Sequence, residues 1–271
     1  MNAPLWHRGE GRQGAIATDG SPEEMRRRED AWYARNDPRS LWPGLRLSAL
    51  QPAADDIGRA AGSILRGDRG TLGDRSGHDT RALGVAALLS GTGPLLGYWV
   101  ERGMLDVPDD VAVLLAEHLA HGRQRADRIS RGMEPVLSRF ASAGVTAVAI
   151  KGFHTSREYF PEPGTRPFGD VDLVVRPADV ARAAAELNEL GFTSDPDVPG
   201  PYKRNWAAPD DPESRNASFE RWDARTRWKL ELHSGLQFSN LEECGVTLEM
   251  DWPATRGWSG GSGRFHVGAR K

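Results

Sequence analysis

Two aspartates separated by one residue, Asp170 and Asp172, stand at the start of the apolar run D-V-D-L-V-V. In a β-strand, residues two apart project from the same face, so a strand here would hold both carboxylates side by side. Two like charges held close together are costly unless a cation lies between them. The pattern therefore predicts a site for Mg²⁺ or Mn²⁺, hard cations that take oxygen ligands.

A third carboxylate, Glu231, occurs in the segment W-K-L-E-L-H. It alternates with the apolar residues Leu230 and Leu232, so it faces away from them on a strand. On a strand next to Asp170 and Asp172, Glu231 would complete a cage for two metal ions. In such a pair, one ion activates an attacking hydroxyl and the other stabilises a leaving pyrophosphate. We therefore predict that these three carboxylates are both the catalytic residues and the metal ligands.

Cationic and glycine residues precede the aspartates. Lys151 and Gly152 directly follow the apolar run V-T-A-V-A-I, and Arg166 lies four residues before Asp170. Glycine permits close backbone approach, while lysine and arginine can neutralise phosphate oxygens. His154 is placed to reach a nucleotide, or it is a loop histidine without a role. Together these residues predict a pocket for a triphosphate and its metal, with Lys151, Gly152, Arg166 and His154 as nucleotide-binding residues.

The aspartate pair has less specific interpretations. The same spacing recurs at Asp195 and Asp197, where an intervening proline indicates a turn. Asp170 and Asp172 could be solvated residues at a strand entrance, with Glu231 as an outward-facing partner. A phosphatase with an Asp-x-Asp-x-Val nucleophile is disfavoured, because there the apolar strand precedes the aspartates, whereas here it follows them.

Two histidine patterns remain open between function and packing. His233 follows Glu231 by two residues and therefore shares its face, where it is either functional or a packing residue. His118 and His121 have helical spacing for a metal, but no third ligand is visible nearby in the sequence. We predict that these two form a surface pair.

The chain must supply elements that position these residues. Residues 45–143 have helical periodicity, including a stripe at Met133, Val136, Leu137 and Phe140, and Gly144 is predicted to end the last helix. Strands are predicted at 145–150 and 171–175, separated by a long loop, and then near 202–206, 217–223 and 227–233. Between them, Pro177 begins a helix that Gly191 closes.

The whole composition restricts the classes of partner. The chain of 271 residues has a formal net charge of −3, so no global field attracts nucleic acid or an anionic membrane. It has one cysteine and no apolar run near the length of a membrane span or a secretory signal. These features predict a cytoplasmic protein that does not contact membranes, and they rank nucleic acid below other partners.

The segment around the aspartates resembles the nucleotidyltransferase superfamily that includes DNA polymerase β. It is most similar to a bacterial branch with the pattern K-G … Y-x-x-P-G-x-R-x-x-x-D-x-D-L-x-x-R-P. The matching residues are Lys151, Gly152, Tyr159, Pro163, Gly164, Arg166, Asp170, Asp172, Leu173, Arg176 and Pro177, with Glu231 and His233 in a later strand. The resemblance covers residues 130–235. Its departures are a glutamate where the family more often has aspartate, and a short, Gly-rich segment after residue 240.

The resemblance implies a function and a fold. It implies Mg²⁺-dependent transfer of a nucleoside monophosphate from an NTP, with ATP as the default, to a small molecule, peptide or protein, with release of pyrophosphate. The alternative is a catalytically weak relative that binds or regulates together with a partner protein. The fold expected is α+β: a nucleotidyltransferase-type mixed sheet flanked by helices at 129–240, after an all-helical module at 45–128. Weakly ordered or irregular tails are expected at 1–44 and 241–271.

Overall fold

The computed structural model describes residues 44–73, 79–194, 203–209 and 228–234, together with Arg27 and Ala34. The predicted N-terminal tail lies almost wholly outside these residues, and the predicted strand at 217–223 and the C-terminal tail lie wholly outside them. The described residues form two compact units. One contains residues up to 125 together with 164–167, and the other contains the remainder.

The first unit is built mainly from helices, where an all-helical module at 45–128 was predicted. They are α1 (Leu47–Leu65), α2 (Thr80–Leu89), α3 (Gly93–Glu101) and the first half of α4 (Asp109–Ser142). Two short strands, β1 (Gly70–Thr71) and β2 (Leu105–Asp106), pair in parallel and were not predicted. Each has only two residues, too few for a visible alternation of apolar and polar side chains. The apolar side chains of the helices form one hydrophobic core.

No single described helix is long and apolar enough to cross a membrane. The bent pair α2 and α3, with an angle of 114° between its helices, passes the same criteria of length and composition when its members are taken together. Most residues of both helices are buried in the core of the first unit, as expected of core helices.

The long helix α4 confirms the predicted apolar stripe. Met133, Val136 and Phe140 are buried, and they belong to the hydrophobic core of the second unit. The helix ends at Ser142, and Gly144 follows in a left-handed conformation with φ of +69°. The Val145 amide then donates to the carbonyl of Phe140 at 2.8 Å, which closes the helix end.

The second unit contains a five-stranded mixed sheet in the order β3-β4-β7-β6-β5. Its strands are β3 (Ala147–Ile150), β4 (Asp170–Val175), β5 (Thr193–Ser194), β6 (Lys203–Ala207) and β7 (Lys229–His233). Only β4 and β7 pair in parallel; the other neighbours are antiparallel. The predicted α+β class with a mixed sheet is confirmed, and four of these strands lie where the sequence predicts strands.

One face of this sheet is apolar. Val171 and Leu173 of β4 and Leu230 and Leu232 of β7 are at most 2% exposed and share a hydrophobic core with α4. The helix α6 (Val180–Glu189), introduced by a 3₁₀ turn at Pro177–Asp179, contributes to the same core. Because side chains alternate along a strand, the intervening residues of β4 and β7 project from the opposite face.

The prediction of a long loop between β3 and β4 is wrong. The helix α5 (Lys151–Glu158) begins directly after β3, and a 3₁₀ turn follows at Pro163–Thr165. The sequence of α5, K-G-F-H-T-S-R-E, contains one strongly apolar residue, Phe153, which is buried. A helix that buries so little apolar surface has no stripe for a periodicity analysis to detect.

Helix α4 packs closely against the start of β7. A Cβ atom added at Gly132 of α4 would lie 2.7 Å from Cζ2 of Trp228. The Trp228 ring is held in place by an edge-to-face contact with Phe192, with 5.5 Å between ring centroids. A glycine is therefore required at this crossing for steric reasons.

Replacing Gly132 tests this packing. We expect Gly132→Val to overpack the core and to lower the free energy of unfolding by about 1–3 kcal/mol. The control is Gly58→Val in α1, because a Cβ at Gly58 meets nothing within 4 Å. Its effect should stay within about 0.5 kcal/mol. Urea unfolding followed by circular dichroism measures both, and equal effects would contradict the steric argument.

Candidate active site

The polar face of the sheet brings residues from three strands together. Asp172 of β4 is the register partner of Glu231 in the parallel strand β7, and Asn205 of β6 is the antiparallel partner of Glu231. Directly paired residues project from the same face of a sheet. Asp172 is 1% exposed, Glu231 8% and Asn205 7%, so two carboxylates and an amide are buried side by side.

Two lysines offset the charge of these carboxylates. Lys151 Nζ lies 2.5 Å from Asp172 Oδ1 and 3.7 Å from Glu231 Oε2. Lys203 Nζ lies 2.5 Å from the other oxygen of Glu231, Oε1. Buried carboxylates require such partners because the loss of hydration is otherwise uncompensated.

His233 completes the cluster. Its Nε2 atom lies 2.9 Å from Asp172 Oδ1 and 3.6 Å from Glu231 Oε2. The same two carboxylate oxygens therefore face both the Lys151 ammonium group and the His233 ring. His233 is two residues after Glu231 in β7, which places both on one face as the sequence predicts.

The charges of the cluster shift the pKa values of its members. Burial opposes the charged form of Lys151, but the hydrogen bond to Asp172 and the charges of Asp172, Glu231 and Asp170 raise its pKa. Burial also opposes the charge of His233, and hydrogen bonds to Asp172 and Glu231 raise the pKa of that ring. For Glu231, hydrogen bonds from His233 and Lys203 outweigh burial and hold the pKa well below its ordinary value. The cluster therefore favours ionised side chains.

Lys151 has an unusual backbone conformation. Its φ angle is +50°, and among the described residues it is the only non-glycine residue with positive φ. Such a conformation costs an L-residue about 1–2 kcal/mol. Lys151 is the first residue of α5, directly after β3, and Ile150 at the end of β3 is the register partner of Asp172. This turn places the ammonium group beside the carboxylates of Asp172 and Glu231.

The side chains can be tested for their fit to a metal ion. Asp172, Glu231 and His233 each offer one ligand atom, and these three atoms lie within 4.8 Å of one another. Carboxylate oxygen and imidazole nitrogen are both common ligands of divalent cations in proteins. The donor set therefore fits a divalent cation, in the place towards which the Lys151 ammonium group now points.

The structure gives local surroundings for the remaining predicted residues. Asp170 is half-buried on the same face of β4, but it is not one of the three residues whose ligand atoms lie within 4.8 Å. Gly152 is buried in the first turn of α5. The His154 ring contacts Tyr159 edge-to-face, with 6.1 Å between centroids. Arg166, which belongs to the first unit, donates to the carbonyl of Pro167 at 3.3 Å. Their roles in metal or nucleotide binding remain predictions.

Lys203 and Asn205 were not predicted to be site residues. The segment K-R-N-W-A was predicted as a strand without a role, and its alternation does place both residues on one face. The missing information was the pairing of β6 with β7, which no local pattern specifies. The available signal was the strand predicted near 202–206, with a lysine and an amide two residues apart.

The prediction that His118 and His121 form a surface pair is wrong. They are 1% and 2% exposed, and burial lowers the pKa of His118 to about 4. The reason lies in α3, where Gly93 has no side chain and the His118 ring occupies the space. A glycine on a neighbouring helix can thus leave room for a buried histidine that the sequence pattern places at the surface.

A mixed sheet flanked by helices, with buried carboxylates on two neighbouring parallel strands, is the arrangement expected of a nucleotidyltransferase-type fold. The model of the family described as an uncharacterised nucleotidyltransferase matches residues 83–265. Because this match covers more than half of the chain, the protein belongs to that family. A comparison with curated proteins finds no match. The superfamily inferred from sequence is confirmed, and family membership supports nucleotidyl transfer as the general function.

The lowered pKa of Glu231 predicts how the stability of the protein depends on pH. Glu231 stabilises the fold above its ordinary pKa of 4.5, and this contribution is lost as the pH falls through the lower pKa of the folded state. The wild type should therefore be more stable than Glu231→Gln at pH 7, and the difference should shrink as the pH is lowered from 4.5 towards 3.

Urea unfolding at several pH values measures this difference. Glu134→Gln, at an exposed position in α4, is the control and should change stability little at any of these pH values. A gap between wild type and Glu231→Gln that stays constant or widens in acid would contradict the assignment.

Proposed function

We propose that the protein transfers a nucleoside monophosphate from an NTP to an acceptor group and releases pyrophosphate, with Mg²⁺ or Mn²⁺ as cofactor. The observation that best supports this proposal is the pairing of Asp172 with Glu231 across parallel strands, both buried and both facing cationic side chains. The formal net charge of −3 favours a small molecule, peptide or protein as acceptor over nucleic acid.

Asp170, Asp172 and Glu231 are the proposed ligands of the cation. When bound, a divalent cation stabilises charge on phosphate oxygens and makes an attacking hydroxyl more acidic. The half-buried position of Asp170 on the face of Asp172 is compatible with a ligand that engages once the phosphates have arrived. The donor atoms are hard oxygens, as such cations require.

The remaining roles follow from the charges of the side chains. In the proposed reaction an acceptor oxygen forms a bond to the α-phosphorus, while the bond from this phosphorus to the oxygen bridging the α- and β-phosphates breaks. The acceptor proton passes to a base, and the Glu231 carboxylate, directly opposite Asp172, is the candidate. Lys151 and Arg166 are proposed to neutralise phosphate oxygens of the NTP.

Direct assay tests this function. We expect the protein with Mg²⁺ or Mn²⁺ to release pyrophosphate from at least one radiolabelled NTP in the presence of acceptor candidates. Asp172→Asn should lower the rate by at least about 100-fold, the scale of losing a group that stabilises transition-state charge. Asp127→Asn, an exposed aspartate of α4 with 63% of its side chain accessible, should leave the rate unchanged.

Two outcomes distinguish the alternatives. Binding of NTP without pyrophosphate release would support a binding or regulatory subunit that acts with a partner protein. Failure of every NTP to bind with either cation, as judged by thermal shift, would exclude nucleotidyl transfer by this chain.

Lys151 provides a further prediction, because its ammonium group contacts the carboxylates that the cation is proposed to use. Replacing it removes a competing cation, so Lys151→Met should bind Mn²⁺ more tightly than the wild type when no nucleotide is present. The expected gain is about tenfold, at the low end for a charged hydrogen bond because the side chain is 57% exposed. Isothermal titration calorimetry measures the affinity.

The nucleotide should respond in the opposite direction. Lys151→Met should weaken NTP binding, because a phosphate partner is lost. Arg131→Met, an exposed cation of α4, serves as the control for loss of one positive charge. An unchanged Mn²⁺ affinity in Lys151→Met would show that lysine and metal do not share the carboxylates.

A further inference from the structure

The position of the His233 ring fits that of a metal ligand. Its Nε2 atom is 2.9 Å from Asp172 Oδ1 and 3.6 Å from Glu231 Oε2. Neighbouring ligands of a six-coordinate ion with bonds of about 2.1 Å are themselves about 3 Å apart. The three ligand atoms therefore need only small movements to surround one ion. Lys203 holds the other oxygen of Glu231, which directs Oε2 towards the histidine.

Asn205 provides a second, independent observation. It is 7% exposed and directly opposite Glu231 on the same face of the sheet. Its Oδ1 atom has no hydrogen-bond partner within the part of the chain that the structure describes. Buried polar atoms are nearly always paired, so an amide oxygen without a partner directly opposite Glu231 indicates a ligand. Amide carbonyl oxygens are regular ligands of divalent cations.

We propose that His233 and Asn205 belong to the cation site and that the histidine makes this site select a first-row transition ion, with Mn²⁺ as the test ion, over Mg²⁺. The inference deepens the proposed function and depends on one part of it, the binding of a cation by Asp172 and Glu231. The Lys151 ammonium group contacts Asp172 Oδ1 and Glu231 Oε2, and it is the group that the ion displaces.

The selectivity follows from ligand chemistry. Mg²⁺ requires oxygen ligands in near-ideal octahedral geometry, whereas imidazole nitrogen suits transition ions. A site of three oxygens accepts both kinds of ion, but a nitrogen in the set favours the transition ion. Burial strengthens the effect, because His233 at 9% exposure and Glu231 at 8% leave little room for water to replace either ligand.

The experiment uses the full chain without nucleotide, and Mn²⁺ and Mg²⁺ as the probes. Pulsed electron paramagnetic resonance should show ¹⁴N modulation from a nitrogen bonded to Mn²⁺, and His233→Ala should abolish it. Calorimetry should show Mn²⁺ bound at least about tenfold more tightly than Mg²⁺. His233→Ala should lower Mn²⁺ affinity about 10- to 100-fold and Mg²⁺ affinity much less. Arg131→Ala, at an exposed position in α4, is the control and should keep the nitrogen signal.

A second variant separates a ligand from a positioning residue. In His233→Gln the amide N–H can still hydrogen-bond Asp172, but the group offers oxygen in place of nitrogen. If His233 is a ligand, His233→Gln loses the preference for Mn²⁺. Full recovery of that preference in His233→Gln would overturn the proposal, since His233 would then only orient Asp172.

Asn205 is tested separately. Asn205→Leu should weaken binding of both ions about equally, because it removes an oxygen, and Asn205→Asp should retain binding. Unchanged affinities in Asn205→Leu would remove Asn205 from the site. Circular dichroism spectra and melting curves of each variant confirm that the protein is folded.

The outcomes for this inference and for the proposed function are distinguishable. A nitrogen signal and Mn²⁺ preference without any nucleotidyl transfer would support the metal site while contradicting the proposed function. Transfer that depends on Asp172 but shows no nitrogen signal and equal affinity for both ions would support the function and overturn this inference.

Discussion

The parallel pairing of β4 with β7 is the constraint on which the rest of the site depends. It places Asp172 directly opposite Glu231, so the register itself brings two like charges together in a buried position. Such a pair is stable only if cations accompany it. The chain supplies them from three places: Lys151 after β3, Lys203 from β6 and His233 from β7. The pairing of β4 with β7 thus explains why cationic side chains surround the two carboxylates.

The apolar face of the sheet fixes that register. Val171 and Leu173 of β4 and Leu230 and Leu232 of β7 form the core with α4 and α6. A slip of one residue would turn these side chains towards the polar face and bury the carboxylates in the core. Burial of these apolar side chains therefore has two effects. It stabilises the unit, and it holds Asp172 opposite Glu231.

Sequence patterns predicted the elements with strong periodicity and the residues whose face follows from it. The stripe of α4, the strands β4 and β7, and the shared face of Glu231 and His233 are examples. Patterns failed where tertiary contact decides. Helix α5 buries only one strongly apolar residue, Phe153, so it has no stripe. Lys203 and Asn205 acquire meaning only from the pairing of β6 with β7, and burial of His118 depends on a glycine in another helix.

The left-handed backbone at Lys151 has a consequence for how this chain can evolve. Glycine adopts such a conformation without penalty, and a glycine already stands at the next position, 152. Exchanging the order of the two residues would relieve the strain, but it would rotate the ammonium group by about 100° around the axis of α5. Selection for thermal stability alone would favour glycine at 151, and selection for the charge cluster would retain lysine. Lysine at this position thus combines a local cost in stability with a charge held at a fixed place.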